Sequence, residues 1–377
     1  MKHYFSRFEE AVKANWERPA LGNFRGETFT FGELATQIAR FHLFFETIGI
    51  KKGDKVALCA KNSARWGVTF FAANTYEAVL VPILADFHPD SVNSLVDHSE
   101  SLVLLTDSDI WAKLDITKMP TIKAVISSSD FSLLYAADEK IQAANDNIDQ
   151  LFAEKYPNGF SAADVTYPTD NDKDLAIINY TSGTTSSPKG VMLTAKNISS
   201  NIEFALNRIP VTDTDKIMSM LPLAHMYGMA FEFIYPLCGG GHVYFLGKTP
   251  TPTVLMQALA DIKPYILITV PLVMEKIFKN KVMPKLSSPL MRVLTNIPIL
   301  RGVIYGKVRA TLLETFGGNL RSIVLGGAAI SLPVEKVMRK IRLPYTVGYG
   351  MTECGPLISY VASSHPTIRQ AGGIAGS

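Results

Sequence analysis

One stretch constrains this chain more than any other: residues 180–194, reading YTSGTTSSPKGVMLT. The run 175–179 ahead of it reads as a strand, and 191–193 open a second apolar run. Between them lie glycine, serine, threonine and proline, so backbone amides and hydroxyls crowd residues 181–187 just ahead of Lys189. Amides exposed in a tight turn can surround an anion, and a lysine adds a mobile positive charge. A phosphate suits such a loop, and ATP is its usual bearer. The common nucleotide P-loop has Gly directly before its Lys and Ser or Thr directly after. Here Pro188 precedes Lys189 and Gly190 follows. From composition alone the stretch also reads as a polar connection between two strands.

The chain around it has 377 residues, enough for two or more domains. Its 47% apolar and 19% charged residues give a globular balance. With 37 Lys and Arg against 34 Asp and Glu, the net charge of +3 argues for neither nucleic acid nor an acidic membrane surface. Cys59, Cys238 and Cys354 are widely spaced and odd in number, and make neither a metal-spacing pattern nor a disulfide framework. The charged start lacks the apolar core of a signal peptide, and no apolar run reaches 18 residues. A cytoplasmic location is expected.

Along the chain, strand and helix patterns alternate. Phe5, Phe8, Val12 and Trp16 recur at helical spacing, and residues 24–29 read as a hairpin around Gly26. Thr30 and Glu33 have capping-box spacing ahead of an apolar face of Leu34, Ile38, Phe41 and Phe45. Strands are expected at 56–60, 78–83 and 102–106, with helices over 65–76 and 90–98 between them. Residues 127–171 are more polar, with a short helix near 148–155. The second half repeats the alternation, with strands at 216–221, 243–246, 265–270, 320–325 and 345–348. Helices are expected from Thr194 or Asn197 to Arg208, over 253–262, over 271–281, and over 299–316 with Gly302 and Gly306 as weak points. The alternation argues for an α/β arrangement of layered sheets, mostly parallel, with flanking helices. Subregions of about 1–170 and 171–377 are expected.

Three further strings carry chemistry. His225 sits in PLAHMYG, among Met226, Tyr227, Met229, Phe231 and Phe233. A lone histidine there is a packed or surface side chain, or a group beside a substrate, and these neighbours read as core or as pocket wall. No aspartate or serine partner is evident nearby, so no general base is assigned. GGAAI, from Gly326 through Gly327 and Ala328 to Ile330, follows a strand. Its glycines make a turn or let a flat ligand approach the backbone. VGYGMTECGP also follows a strand and gathers the Tyr349 ring, Gly350, the Thr352 hydroxyl and the Glu353 carboxylate. A carboxylate there is a solvated acid or a ligand for Mg²⁺ beside phosphates.

Taken whole, these strings resemble the motifs of the adenylate-forming (AMP-binding) superfamily, which includes acyl-CoA synthetases, luciferases and peptide-synthetase adenylation domains. The family pattern [ST]SGTTGxPKG is met with one departure, Ser186 where Gly is usual. The motifs occur in the family's order from Tyr180 to Pro356, and TFTFGELA extends the likeness back to about Phe29. The segment KPYILITVPLVMEKIFK is similar to one in long-chain acyl-CoA synthetases. The resemblance implies the family's large N-terminal domain, and ATP-dependent activation of a medium- or long-chain fatty acid to an acyl-adenylate, then to a thioester of coenzyme A. It implies that Thr181, Ser182, Gly183, Thr184, Thr185, Ser186 and Lys189 hold the phosphates of ATP. Thr184 and Glu353 would bind Mg²⁺, and Lys189, Thr184 and Glu353 would serve catalysis. Gly327 and Ala328 would flank the adenine, Tyr349 and Gly350 would lie against it, and Thr352 would contact the α-phosphate. His225, Met226, Tyr227 and Gly326 would line the acid site. Peripheral membrane contact during substrate uptake fits this reading; nucleic acid does not. Family members continue past YGMTE with a ribose-binding aspartate and a small C-terminal domain carrying a lysine. Neither can be assigned before Ser377, so an incomplete enzyme is expected, binding nucleotide better than it turns over. Adenylation of another carboxylic acid, or nucleotide binding without turnover, stays open.

Overall fold

A computed structural model describes residues 1–181, 188–247 and 251–361. The capping box at Thr30 forms: its hydroxyl accepts from the Glu33 N–H at 3.1 Å, and the Glu33 carboxylate accepts from the Thr30 N–H at 2.7 Å. The helix it opens, Phe31–Thr47, buries Leu34, Ile38, Phe41 and Phe45, as its 3.6-residue periodicity requires. Thr194 caps the helix Ala195–Arg208 in the same way, with Asn197 as the reciprocal partner. Of the two candidates Thr194 and Asn197, Thr194 is the cap and Asn197 the third helical residue.

Fifteen strands lie among the described residues. In chain order they begin β1 Pro19–Asn23, β2 Thr28–Thr30, β3 Lys55–Cys59, β4 Val79–Ile83 and β5 Ser101–Thr106. There follow β6 Ala124–Ser127, β7 Leu133–Ala136, β8 Leu175–Thr181, β9 Lys189–Thr194 and β10 Lys216–Ser219. The last are β11 His242–Phe245, β12 Ile266–Thr269, β13 Ser322–Leu325, β14 Tyr345–Gly350 and β15 Leu357–Val361.

The chain divides into two compact units. The first holds Met1–Thr214 and Ser219–Lys248, the second Asp215–Met218 and Thr249–Ser377. In the first unit β8 pairs with β4.

In the first unit seven strands form one sheet in the order β7-β6-β5-β3-β4-β8-β9. Its centre is parallel and its two edges, β7 and β9, are antiparallel. All of β4 and all but the first residue of β3 are buried, as expected for parallel strands covered on both faces. In the same unit β1 pairs with β11 in parallel and with β2 in a hairpin. Aromatic rings fill the core: Phe8 stacks on Phe71 at 3.7 Å between centroids, and Phe233 meets Trp66 and Phe70 edge-on. Each fully buried phenylalanine contributes roughly 1.5–3 kcal/mol.

In the second unit the order is β15-β14-β13-β12-β10, parallel except for β15. Register is exact enough to bring strand ends level: Thr269 lies beside Leu325, and Leu325 beside Val347. Three expectations change here. The strand from Lys216 stops at Ser219, because the next two N–H groups bond to Glu232 and not to a neighbouring strand. The helix beginning at Pro271 is regular only to Ile277 and then widens into a π-helical turn, Phe278–Val282. Gly302 and Gly306 do not interrupt the helix Pro298–Thr315.

Candidate functional site

The strand–loop–strand unit expected around Lys189 is an antiparallel pair. Residues 182–187 join β8 to β9, and the register sets Tyr180 opposite Gly190 and Thr181 opposite Lys189. Ser182, Gly183, Thr184, Thr185 and Ser186 lie outside the described residues; the strand ends that hold them do not. Gly190 cannot be larger, since a Cβ there would lie 2.8 Å from Ile178 Cγ2 and 3.3 Å from the Tyr180 ring. The buried Tyr180 also bonds through its hydroxyl to His98 Nδ1 at 2.7 Å. Thr181 is half-buried and Lys189 is exposed.

The PLAH segment is fixed by three polar side chains from elsewhere in the first unit. Asn179, on β8, donates to the Ala224 carbonyl at 2.7 Å and so ties the loop-bearing strand to the residue before His225. Asn62 donates to the Leu221 carbonyl at 2.6 Å and accepts from the Leu223 N–H at 3.0 Å. Glu232 Oε2 accepts from the Ser219 hydroxyl and from the N–H groups of Met220 and Leu221, all within 3.0 Å. Glu232 is fully buried, and burial pushes its carboxyl up to about 8. It lies in a π-helical stretch, Met229–Ile234, a local widening frequent at functional sites. The sequence shows no aspartate or serine partner for His225; Glu232 is the carboxylate seven residues on, and its acceptor oxygen is taken up by the Ser219 hydroxyl and two backbone N–H groups.

His225 itself is exposed and stands as the N-cap of the turn Met226–Gly228; the surrounding protein lowers its pKa. Met226 is buried and Tyr227 half-buried, its ring 6.0 Å from Phe231. Met229 and Phe233 are completely buried, and Phe233 packs into the aromatic core, so the packed-core reading holds for these two.

In the second unit the parallel strands β13 and β14 carry the other two motifs out of the same sheet edge. Gly326, buried, donates its N–H to Thr269 at 3.2 Å. Gly327 follows at φ 81°, a conformation that favours glycine, and is exposed with Ala328. From β14, Tyr349 emerges 59% exposed, its ring unburied at the strand end. Thr352 is half-buried and Glu353 exposed, both in the short turn Thr352–Cys354. Gly350 is dictated by space: a Cβ there would lie 2.0 Å from the Pro356 carbonyl oxygen, which accepts the Met351 N–H at 2.9 Å. The strand β15 that closes this hairpin was not foreseen; Leu357 pairs with Gly350 and Ser359 with Tyr349.

The candidate residues thus form two groups. Thr181, Lys189, His225, Met226 and Tyr227 belong to the first unit, while Gly326, Gly327, Ala328, Tyr349, Gly350, Thr352 and Glu353 belong to the second. Among the described residues no cluster of three or more His, Cys, Asp or Glu could hold a metal ion. A single exposed carboxylate such as Glu353 suits a hard cation that takes its other oxygens from phosphate and water.

Known proteins can be set beside this geometry. A model of the family described as AMP-binding enzyme matches residues 8–376. Long-chain-fatty-acid–CoA ligase 4 of Saccharomyces cerevisiae is 30% identical over 344 residues, covering 81% of this chain and 49% of that protein. Long-chain-fatty-acid–CoA ligase 5 of Rattus norvegicus is 28% identical over 325 residues, 79% of this chain and 46% of that protein. The chain spans about half the length of these curated relatives. Among solved structures, the N-terminal domain of FACL13 from Mycobacterium tuberculosis superposes with a TM-score of 0.72 at 19% identity, over 100% of this chain and 82% of that one. The anthranilate CoA ligase AuaEII in complex with anthranoyl-AMP gives 0.73 at 15% identity, over 96% and 62%. At such identities the likeness shows the fold, the large N-terminal domain of adenylate-forming enzymes. With the family match running through nearly every residue, this chain belongs to the AMP-binding enzymes.

Proposed function

We propose that the protein activates a carboxylic acid with ATP, and that the acid is a medium- or long-chain fatty acid. A carboxylate oxygen attacks the α-phosphorus, pyrophosphate leaves, and an acyl-adenylate forms. The thiolate of coenzyme A then attacks the acyl carbon and AMP leaves. The observation that carries this reading is the β8–β9 hairpin, whose Thr181–Lys189 pair closes the mouth of a loop of amides and hydroxyls. The names of the two ligases above support the fatty acid and coenzyme A.

In this reading Lys189 and the loop residues Ser182, Gly183, Thr184, Thr185 and Ser186 neutralise and orient the phosphates. Thr184 and Glu353 would hold Mg²⁺, which when bound offsets phosphate charge and orients the leaving pyrophosphate. Gly327 and Ala328 offer backbone to the adenine, and their lack of bulk lets a flat ring approach. Tyr349 and Gly350 lie against the base, and Thr352 hydrogen-bonds the α-phosphate. His225, Met226, Tyr227 and Gly326 line the acid site. The substrate carboxylate is already a nucleophile, so no Ser-His-Asp system is needed. Residues 1–377 act as most of one large AMP-binding domain. A cytoplasmic location, with peripheral contact to a membrane while the acid is taken up, belongs to the same proposal.

The test is carboxylate-dependent ATP–pyrophosphate exchange by the complete enzyme over a panel of acids. Each methylene buried contributes about 0.8 kcal/mol, so the rate at limiting acid is expected to rise roughly fourfold per added CH₂ until the acyl site is full. Preference for acetate or for an amino acid would overturn the substrate assignment, and exchange without any acid would overturn the reaction.

A further inference from the structure

Between Ser219 and Glu232 the chain leaves the end of β10 and comes back to it. Glu232 Oε2 accepts from the Ser219 hydroxyl at 3.0 Å, from the Met220 N–H at 3.0 Å and from the Leu221 N–H at 2.9 Å. One carboxyl oxygen thus closes the neck of a loop, and His225, Met226 and Tyr227 stand inside it. The closure reaches them through direct contacts. Gly228, next to Tyr227, has no room for a side chain: a Cβ there would lie 2.9 Å from the Pro222 carbonyl oxygen and 3.1 Å from Leu221 Cβ. Leu221, held at the neck by Glu232, is therefore packed against the turn that carries Tyr227. Within the loop the His225 N–H donates to the Pro222 carbonyl at 3.1 Å, and the His225 carbonyl accepts the Met229 N–H at 3.0 Å. The second carboxyl oxygen, Glu232 Oε1, is buried without a hydrogen-bond partner among the described residues. A buried polar atom left unmet costs stability, so its retention in a fold calls for a reason beyond packing.

We propose that Glu232 is a positioning residue for the acid site: it closes the loop 219–232 and so holds His225, Met226 and Tyr227 where the acid is received. The inference rests on the acid-activation reading and names a residue that works through the loop without touching the acid. Three donors converging on one oxygen fix the neck in both distance and direction, which apolar packing alone does less sharply. Burial pushes the carboxyl up to about 8, so at neutral pH the side chain is the neutral acid, and glutamine has its shape. Lys189 and Thr181 stand on β9 and β8, outside this loop. Opening the neck therefore weighs on the acid and not on ATP.

Acid-dependent ATP–pyrophosphate exchange by the complete enzyme tests it, with palmitate as the acid, or with the acid of the panel that supports exchange if palmitate does not. E232A removes the acceptor, and E232D is one methylene too short to keep all three donors. Both are expected to raise KM for the acid at least about tenfold and to leave KM for ATP within about twofold. E232Q should stay within about twofold of the parent on both. Ile38→Ala, a cavity in the buried face of the helix Phe31–Thr47, controls for lost stability, and its KM for the acid should match the parent. If E232A and E232D fail to fold, S219A decides. It removes one of the three donors and should raise KM for the acid about threefold, with no change for ATP. An unchanged KM for the acid in these variants, equal rises for acid and ATP, or E232Q as impaired as E232A would each overturn the proposal. Exchange by the parent without any acid would instead overturn the acid-activation reading beneath it.

Discussion

Gly350→Ala is expected to break the YGMTE hairpin. The added methyl would sit 2.0 Å from the Pro356 carbonyl oxygen, and that atom is backbone, held by the Met351 N–H. Ordinary overpacking costs about 1–3 kcal/mol. Here no rotamer can relieve the clash, so β14 and β15 must part at the Gly350–Leu357 pair, and a loss above about 3 kcal/mol is expected. Tyr349, Thr352 and Glu353 move with it. Gly348→Ala is the control, since its methyl meets the Leu357 side chain at 3.3 Å, a tip that can rotate away. Urea unfolding of both variants should show a large loss for the first and less than about 1 kcal/mol for the second. Equal losses would contradict the steric account.

Glu232→Ala should destabilise the first unit by a similar amount. It removes the acceptor of the Ser219 hydroxyl and of the Met220 and Leu221 N–H groups. Each buried donor left unmet costs about 1–3 kcal/mol, and these neighbours do not add fully, so about 3–5 kcal/mol is expected. Glu232→Gln keeps an acceptor oxygen and separates hydrogen bonding from charge. Burial raises the wild-type carboxyl from 4.5 to about 8. Between those values the folded chain keeps a proton that the unfolded chain has given up. The contribution of this group to stability is therefore complete below pH 4.5, and it falls as pH rises toward 8 by about 1.4 kcal/mol per unit. The Gln variant lacks this slope, so its stability relative to wild type should improve from pH 5.5 to 7.5. A difference that does not change with pH would contradict the buried-proton account.

Local signals in the sequence were enough for most elements. Thr30 and Glu33 need only three residues of separation to announce a helix start, and the pair forms; of Thr194 and Asn197, the alternatives for the next cap, Thr194 takes that position. The YGMTE and GGAAI strings were legible because each follows a strand, and in-register parallel pairing of β13 with β14 then brings them to one sheet edge. The supports of the PLAH segment were not legible. Asn62 is 159 residues from Leu221, and Asn179 is 45 from Ala224. A polar residue whose partner is a distant backbone group leaves no periodic trace. Glu232 was closer but sits in an apolar run, MAFEFI, where one acid reads as an interruption, not as a strap for the strand end. The apolar spacing over 299–316 announced a helix but not its exposure: Leu312 is the one buried residue of Pro298–Thr315. Periodicity reports a face and not what covers it.

The central proposal is that Lys189 and Glu353 each take part in binding Mg·ATP. Isothermal calorimetry with Mg·ATP measures it most directly, comparing the intact chain with K189A, E353A and the double variant K189A/E353A. Charge-assisted contacts are worth about 1.5–3 kcal/mol each, so the double variant is expected to bind at least about 100-fold more weakly, and each single variant tenfold or more. Equal affinity for the intact chain and K189A/E353A would contradict the assignment of the site.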